Sequence, residues 1–217
     1  MERDFTRGMD LFDPILNGKK KIVVVWAGGI GSTTTYTLAK MGCSNIRVVD
    51  FDTVDAVNCS SQFFWLSQVG KPKVEALAEN IKMLCDEEIE AVNDKYKKEY
   101  IQDADIIIMA LDNMETREQI VDDVTDNQFI FDPRMVKKIA VVNCFQWFEF
   151  EKQDWKKKEL WFEAPEEVAC TSKAVAFNAV GFAWLIWTLV AKHLEGEELY
   201  YSYELDNFNV LINKFKE

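Results

Sequence analysis

The sequence predicts an α/β fold: a mainly parallel sheet with helices on both faces, followed by an antiparallel C-terminal extension. Three observations carry that prediction. Short, apolar, β-branched runs recur at Lys21–Val25, Ile46–Asp50 and Ile106–Leu111, the pattern of strands buried on both faces. Segments of helical period lie between them, clearest in Lys73–Asp86, where Val74, Leu77, Ile81 and Leu84 share one face. The first run passes directly into a glycine cluster, W-A-G-G-I-G-S over Trp26–Ser32.

A glycine turn that opens into a helix cradles phosphate. Gly28 and Gly29 let the backbone approach closely, and the helix N-terminus offers N–H groups and a positive dipole end. Gly31 would let the helix pack tightly on its strand. Ser32 and the threonines after it would cap a helix that runs to Lys40 and ends near Gly42. The usual dinucleotide fingerprint has a glycine one position earlier, where this chain has Trp26. Ile46–Asp50 then completes a right-handed βαβ unit. Asp50 stands about 20 residues past the glycines, where such Rossmann-like units set an acid on ribose hydroxyls. A solvated strand-end carboxylate is the plainer alternative for it.

The other elements follow in chain order. Ahead of the first strand, residues 1–20 carry Arg3, Arg7 and the apolar Met9, Leu11, Phe12, Ile15 and Leu16, which predict an arm with a short helix docked on the domain. Pro72 marks the start of the Lys73–Asp86 helix, with Lys71 and Lys73 on either side of it; surface lysines are the alternative there. Glu88–Tyr96 reads as a strand, Tyr100–Ala104 as a turn or short helix, and Ile106–Leu111 as a buried strand ending in Asp112-Asn113. Ligands bind at the carboxyl ends of parallel strands, so Asp50 and Asp112 should both face the crevice above the glycine loop. Two carboxylates around phosphates suggest Mg²⁺. Glu115–Asp123 is then a helix, Phe129–Asp132 a strand, and Ile139–Phe150 a strand or hairpin. Gln153–Lys158 reads as a charged turn and Glu159–Ala164 as a short strand. Cys170-Thr171-Ser172 opens a long apolar helix over Ala174–Ala191. A thiol at such a helix start is either an activated nucleophile or a buried inert cysteine. Leu199–Ile212 closes with strand-like aromatic alternation.

Composition narrows the function classes. The 217 residues contain 48% hydrophobic and 29% charged residues, as expected of a folded globular chain. They read as a single domain: arm 1–20, nucleotide-binding core 21–135, and a C-terminal sheet and apolar helix over 136–217. A net charge of -12 disfavours nucleic-acid binding. Five cysteines, with no C-x-x-C pair, indicate neither a disulfide framework nor zinc, and a cytoplasmic setting fits. Met1–Phe5 lacks the apolar core of a signal peptide. Ala174–Ala191 is nearly long enough for a bilayer, but Asn178 interrupts it and acidic residues lie beyond it. A buried helix, or one at a dimer interface, is expected instead.

Six short elements stand in one order between Phe5 and Arg117, within a resemblance that runs from Phe5 to about Phe208. They are Phe5-Thr6-Arg7, the loop Ala27–Ser32, Val49–Asp52, Asn58 with Gln62, Gly70–Lys73, and Leu111-Asp112-Asn113 with Arg117. Their order and spacing resemble the ThiF/MoeB-type adenylyltransferases, prokaryotic relatives of the ubiquitin-activating enzymes. In that family an aromatic-Ser-Arg motif precedes the glycine loop and the strand-two acids, and N-x-x-R-Q, G-x-x-K and D-N-x-x-x-R follow. The resemblance implies ATP with its phosphates over Gly28–Ser32 and its ribose on Asp50, with Asp52, Asn58, Gln62 and Asn113 completing the site. Asp112 would hold Mg²⁺, and Lys73 would stabilise charge on the phosphates. Arg7 would reach across from the partner in a homodimer. The substrate implied is the C-terminal carboxylate of a small ubiquitin-like protein or peptide, which would attack the α-phosphate. Cys170 matches a cysteine before the last helix in some members, so thioester transfer could follow.

The chain departs from this pattern in three places. Ser61 replaces the arginine of N-x-x-R-Q and removes a phosphate-binding cation. Trp26 replaces the first glycine, which implies a reshaped loop or a nearby aromatic patch. The family's paired C-x-x-C zinc ligands are missing. Two readings therefore stand: an adenylating enzyme, or a degenerate non-catalytic partner that scaffolds an active homologue. A nicotinamide oxidoreductase or a methyltransferase would share the βαβ unit but would leave Lys73 and Asp112 unexplained.

Overall fold

The computed structural model describes residues 3–136, 139–146, 152–153, 155–157, 176–206 and 211–215. Eight strands form one sheet: β1 Ile22–Val25, β2 Ile46–Val49, β3 Glu90–Val92, β4 Ile106–Met109, β5 Phe129–Val136, β6 Ile139–Gln146, β7 Ser202–Asp206 and β8 Leu211–Phe215. Their order is β3-β2-β1-β4-β5-β6-β7-β8. Pairings are parallel from β3 through β5 and antiparallel from β5 through β8. The predicted architecture is thus the observed one, with its reversal of strand order between β1 and β4, where open sheets bind ligands.

The apolar runs are continuous because both sheet faces are covered. Successive strand residues point to opposite sides, and each side meets a helix layer. Ile22, Val24, Val48, Ile106 and Ile108 join a cluster with helices α2 (Gly29–Lys40), α3 (Lys73–Cys85) and α5 (Ala176–Leu194). Val23, Val25, Ile107 and Met109 join the opposite cluster with α4 (Met114–Asp123) and Trp155. The long apolar stretch feeds the core through Phe182, Leu185, Ile186, Leu189 and Val190. Among the described residues no helix is long and apolar enough to cross a membrane.

Four expectations need correction. Helix α2 starts at Gly29 with Gly28 as its N-cap, so Ser32 lies inside the helix and does not cap it. Strand β5 continues through Pro133 to Val136. It can do so because its parallel neighbour β4 is paired only as far as Phe131, leaving Pro133 in register with Val142 of β6 alone. Gln153 and Trp155–Lys157 are helical where a charged turn was predicted over Gln153–Lys158, with Trp155 buried beside Phe145. In the arm, the one-turn α1 (Pro14–Asn17) buries Pro14, and Phe12 is buried ahead of it, but Leu11, Ile15 and Leu16 are exposed. One turn cannot turn every apolar side chain inward. The predicted strand at Glu159–Ala164 and the helix start at Cys170 lie outside the described residues.

Candidate functional site

The glycine loop leaves β1 at Trp26, whose N–H donates to the Val49 carbonyl at 2.8 Å. Trp26 takes φ +82°, a left-handed conformation that for a bulky L-residue costs about 1–3 kcal/mol. The turn is fixed by what packs on it. A methyl group on Gly31 would sit 1.8 Å from the Trp26 carbonyl oxygen and 3.2 Å from Ala110 Cβ, so α2 closes on the loop only because residue 31 has no side chain. At Gly28 an added Cβ would meet nothing within 4 Å. The N–H groups of the first helical turn have no partner inside the helix, and they begin beside this open ground.

Asp50 lies beneath the loop, 2% exposed. Its Oδ2 accepts the Ala27 N–H at 2.7 Å and its Oδ1 accepts the Asp52 N–H at 2.8 Å. Burial pushes its carboxyl up in pKa, while the two N–H donors and the Lys73 charge pull it down. Asp50 therefore ties the glycine loop to the end of β2. The neighbouring acid, Asp52, has a side chain 41% exposed and ion-pairs at 2.8 Å with the almost fully buried Lys73. Lys73 opens α3, and its own N–H donates to the Asp52 carbonyl. The exposed partner of Lys71 is Glu79, so the two lysines flanking Pro72 part company: one faces Asp52, the other solvent.

Asn58 and Gln62 sit on the turn that follows. Asn58 forms a reciprocal cap with Asp55, and its carbonyl accepts the N–H groups of Ser61 and Gln62. The Gln62 Oε1 is buried and has no donor. Ser32 joins this turn to the loop: its hydroxyl donates to the Gly28 carbonyl and accepts the Phe63 N–H at 3.1 Å. Across the switch point, Asp112 is exposed just past β4. Asn113 caps α4 by accepting the Thr116 N–H. The buried Arg117 donates to the Leu111 carbonyl at 2.8 Å and pairs with the buried Asp132, which also pairs with Arg134. Through those contacts the D-N-x-x-x-R element clamps the end of β4 that carries Asp112.

Arg7 is exposed and lies two residues from Phe5, whose ring lies 3.0 Å from a Cβ built on Gly42, just past the far end of α2. A helix of this length spans about 18 Å, so within one chain Arg7 is remote from the glycine loop. Cys43 and Cys144 are buried, and burial raises both thiols in pKa, that of Cys43 to about 12. Three features escaped the sequence reading: the positive φ at Trp26, the Asp52–Lys73 pair, and Asp132. The first has no signal in a residue name, while the others join residues far apart in the chain.

A model of the ThiF family matches residues 15–130. The SUMO-activating enzyme subunit uba-2 of Caenorhabditis elegans is 34% identical over 110 residues, 47% of this chain and 19% of that protein. The NEDD8-activating enzyme E1 catalytic subunit of Arabidopsis thaliana is 35% identical over 106 residues, 46% of this chain and 23% of that protein. The chain thus spans about a fifth of the length of these relatives. In fold it is similar to E. coli MccB crystallised with AMPCPP and MccA, with a TM-score of 0.68 and 19% identity over 94% of this chain and 65% of that one. With more than half of its residues matched by the family model, and with the loop, strand order and motif positions described above, the chain belongs to the ThiF family.

Proposed function

We propose that this chain adenylates the C-terminal carboxylate of a small ubiquitin-like protein or peptide, using ATP. The observation that carries the reading is the buried Lys73 held by Asp52 beside a glycine loop with an open helix N-terminus. A buried ammonium paired with an acid that can turn to water is a cation kept ready for an anion.

In this reading the phosphates rest on the amides at Gly28–Ser32, and Lys73 leaves Asp52 to pair with them. The ribose hydroxyls meet the Asp50–Asp52 turn, Asp52 as the accessible acceptor and Asp50 as its anchor. The Gln62 Oε1 accepts from a ligand hydroxyl or amino group, while Asn58 and Asn113 shape the walls. The carboxylate oxygen of the substrate bonds to the α-phosphorus, the bond to the bridging oxygen breaks, and pyrophosphate leaves. Lys73 stabilises the charge that develops on the phosphate oxygens. Among the described residues no three His, Cys, Asp or Glu side chains converge on a metal site. Mg²⁺ needs no such cage, because it binds through one or two carboxylates together with substrate phosphates. Asp112 fits that demand, and the ion would neutralise phosphate charge.

Arg7 acts in trans in this reading. The face of α2 and α5 has an apolar groove of ≈ 430 Å³ lined by Tyr36, Phe63, Trp184 and Trp187 among others, and Leu11, Leu16 and Val180 are exposed. A second copy of the chain would cover such a face and bring its arginine. A cytoplasmic setting and a thioester on Cys170 complete the proposal. The test is ATP–pyrophosphate exchange with purified protein, Mg²⁺ and candidate glycine-ended substrates, with Asp112→Ala as control. Exchange lost in the control supports adenylation. Absence of both exchange and ATP binding overturns it in favour of a non-catalytic scaffold.

A further inference from the structure

The described residues contain two non-glycine positions with positive φ, Trp26 and Asp86. Asp86 ends α3 in the left-handed conformation common at helix ends. Trp26 sits within the phosphate loop, where glycine would satisfy the same backbone without strain. Gly31 lies close against the Trp26 carbonyl. Retention of an indole there therefore asks what the ring contributes.

The ring lies edge-on to Phe51, with centroids 5.7 Å apart and planes at 69°. Its inner side packs on the cluster that holds Val25, Val49 and Met109. Phe51 stands between the anchored Asp50 and the accessible Asp52 and is itself 43% exposed. Its partner besides Trp26 is the ammonium of the exposed Lys95, 5.6 Å from the ring centroid, a contact that a flat ligand can displace. The ends of β1 and β2 thus carry an aromatic wall whose inner member is fixed and whose outer member is open.

We infer that Trp26 and Phe51 form a stacking platform for the base of the bound nucleotide and make the site selective for purines. The inference rests on the nucleotide reading above. With phosphates on the start of α2 and ribose at Asp52, the base lies beside Phe51. A purine overlaps a phenyl face more fully than a pyrimidine does, and such stacking discriminates without any hydrogen bond to the base edge. Trp26 holds the Phe51 ring in place from behind, which is the gain that offsets a strained turn.

The test is calorimetric titration of the full chain with ATP and CTP in Mg²⁺, for wild type, Trp26→Gly, Trp26→Phe and Phe51→Ala. The expected result is ATP bound at least tenfold more tightly than CTP by wild type. Trp26→Gly and Phe51→Ala should each lose about tenfold in ATP affinity with CTP affinity unchanged, and Trp26→Phe should retain part of the preference. Phe51→Ala removes an exposed ring, so it carries the test if Trp26→Gly alters folding. An ATP/CTP ratio unchanged in Phe51→Ala, or tighter ATP binding in Trp26→Gly, overturns the platform while leaving the nucleotide reading intact. A wild-type chain that binds neither nucleotide overturns both.

Discussion

The two ends of α2 use one helix dipole in opposite ways. At the start, the N-cap Gly28 borders open ground, and a lysine is paired with an acid just past the end of β2. At the finish the carbonyls are already taken. The Arg3 guanidinium donates to Ala39 at 2.8 and 2.9 Å and to Cys85, at the end of α3, at 2.8 Å. It also ion-pairs with Glu87 and lies over the Phe5 ring. A helix C-terminus covered by the protein's own cation needs no ligand, whereas a bare N-terminus attracts an anion. The difference separates the edge of the sheet proposed to bind nucleotide from the edge that fastens the arm.

Substitutions can break each end separately. The largest effect is expected from Gly31→Ala, because the new methyl would collide with backbone that cannot step aside. Urea denaturation should show a loss of about 3 kcal/mol, and nucleotide binding should fail with it. Lys73→Met should slow pyrophosphate exchange by about 100- to 1000-fold with little change in the unfolding midpoint, since Asp52 can turn to water. At the other end, Arg3→Ala removes charged hydrogen bonds and should lower stability by about 1–3 kcal/mol while ATP affinity stays the same.

The smallest effect sharpens the contrast at a third helix end. His193 lies in the last turn of α5, where a dipole favours positive charge. Yet its ring is stacked on Phe129 at 3.8 Å, and burial, then the Lys20 charge, lowers its pKa from the ordinary 6.5. The unfolded chain therefore takes up this proton first. Stability should be complete above pH 6.5 and fall as the pH drops below it, by at most about 1.4 kcal/mol per pH unit. His193 is the single histidine of the sequence, so urea melts of wild type and His193→Phe from about pH 5 to 7.5 isolate its part, with the slope reduced in the variant.

What could be read from the sequence was what local pattern dictates. Buried parallel strands announce themselves by unbroken β-branched runs, and β1, β2 and β4 fell within a residue or two of expectation. The Lys73–Cys85 helix followed from Pro72 and four spaced apolar residues. Ser32 misled because a hydroxyl after glycines looks like a cap. Its partner, the Phe63 N–H, lies 31 residues on and leaves no local trace. Asp50 was legible as an acid at a strand end, but its burial and its engagement by two backbone donors depend on how the loop folds over β2. Asp112 and Asn113 could be placed at a strand end. The clamp beneath them needed Asp132 from another strand. Trp26 was visible as a departure from the glycine pattern, while its backbone angle was not.

The contact between Asp52 and Lys73 has a last consequence, for selectivity among small anions. An anion that approaches Lys73 does not find a vacant charge; it displaces a carboxylate tethered to the same turn. A tethered acid acts as an internal competitor at high local concentration. Chloride or inorganic phosphate, which would gain that one contact alone, is poorly matched against it. A ligand that also grips the loop amides and a second wall of the crevice has the surplus to complete the exchange. The lysine is thereby screened from the commonest anions of its surroundings by a residue 21 positions away in the chain.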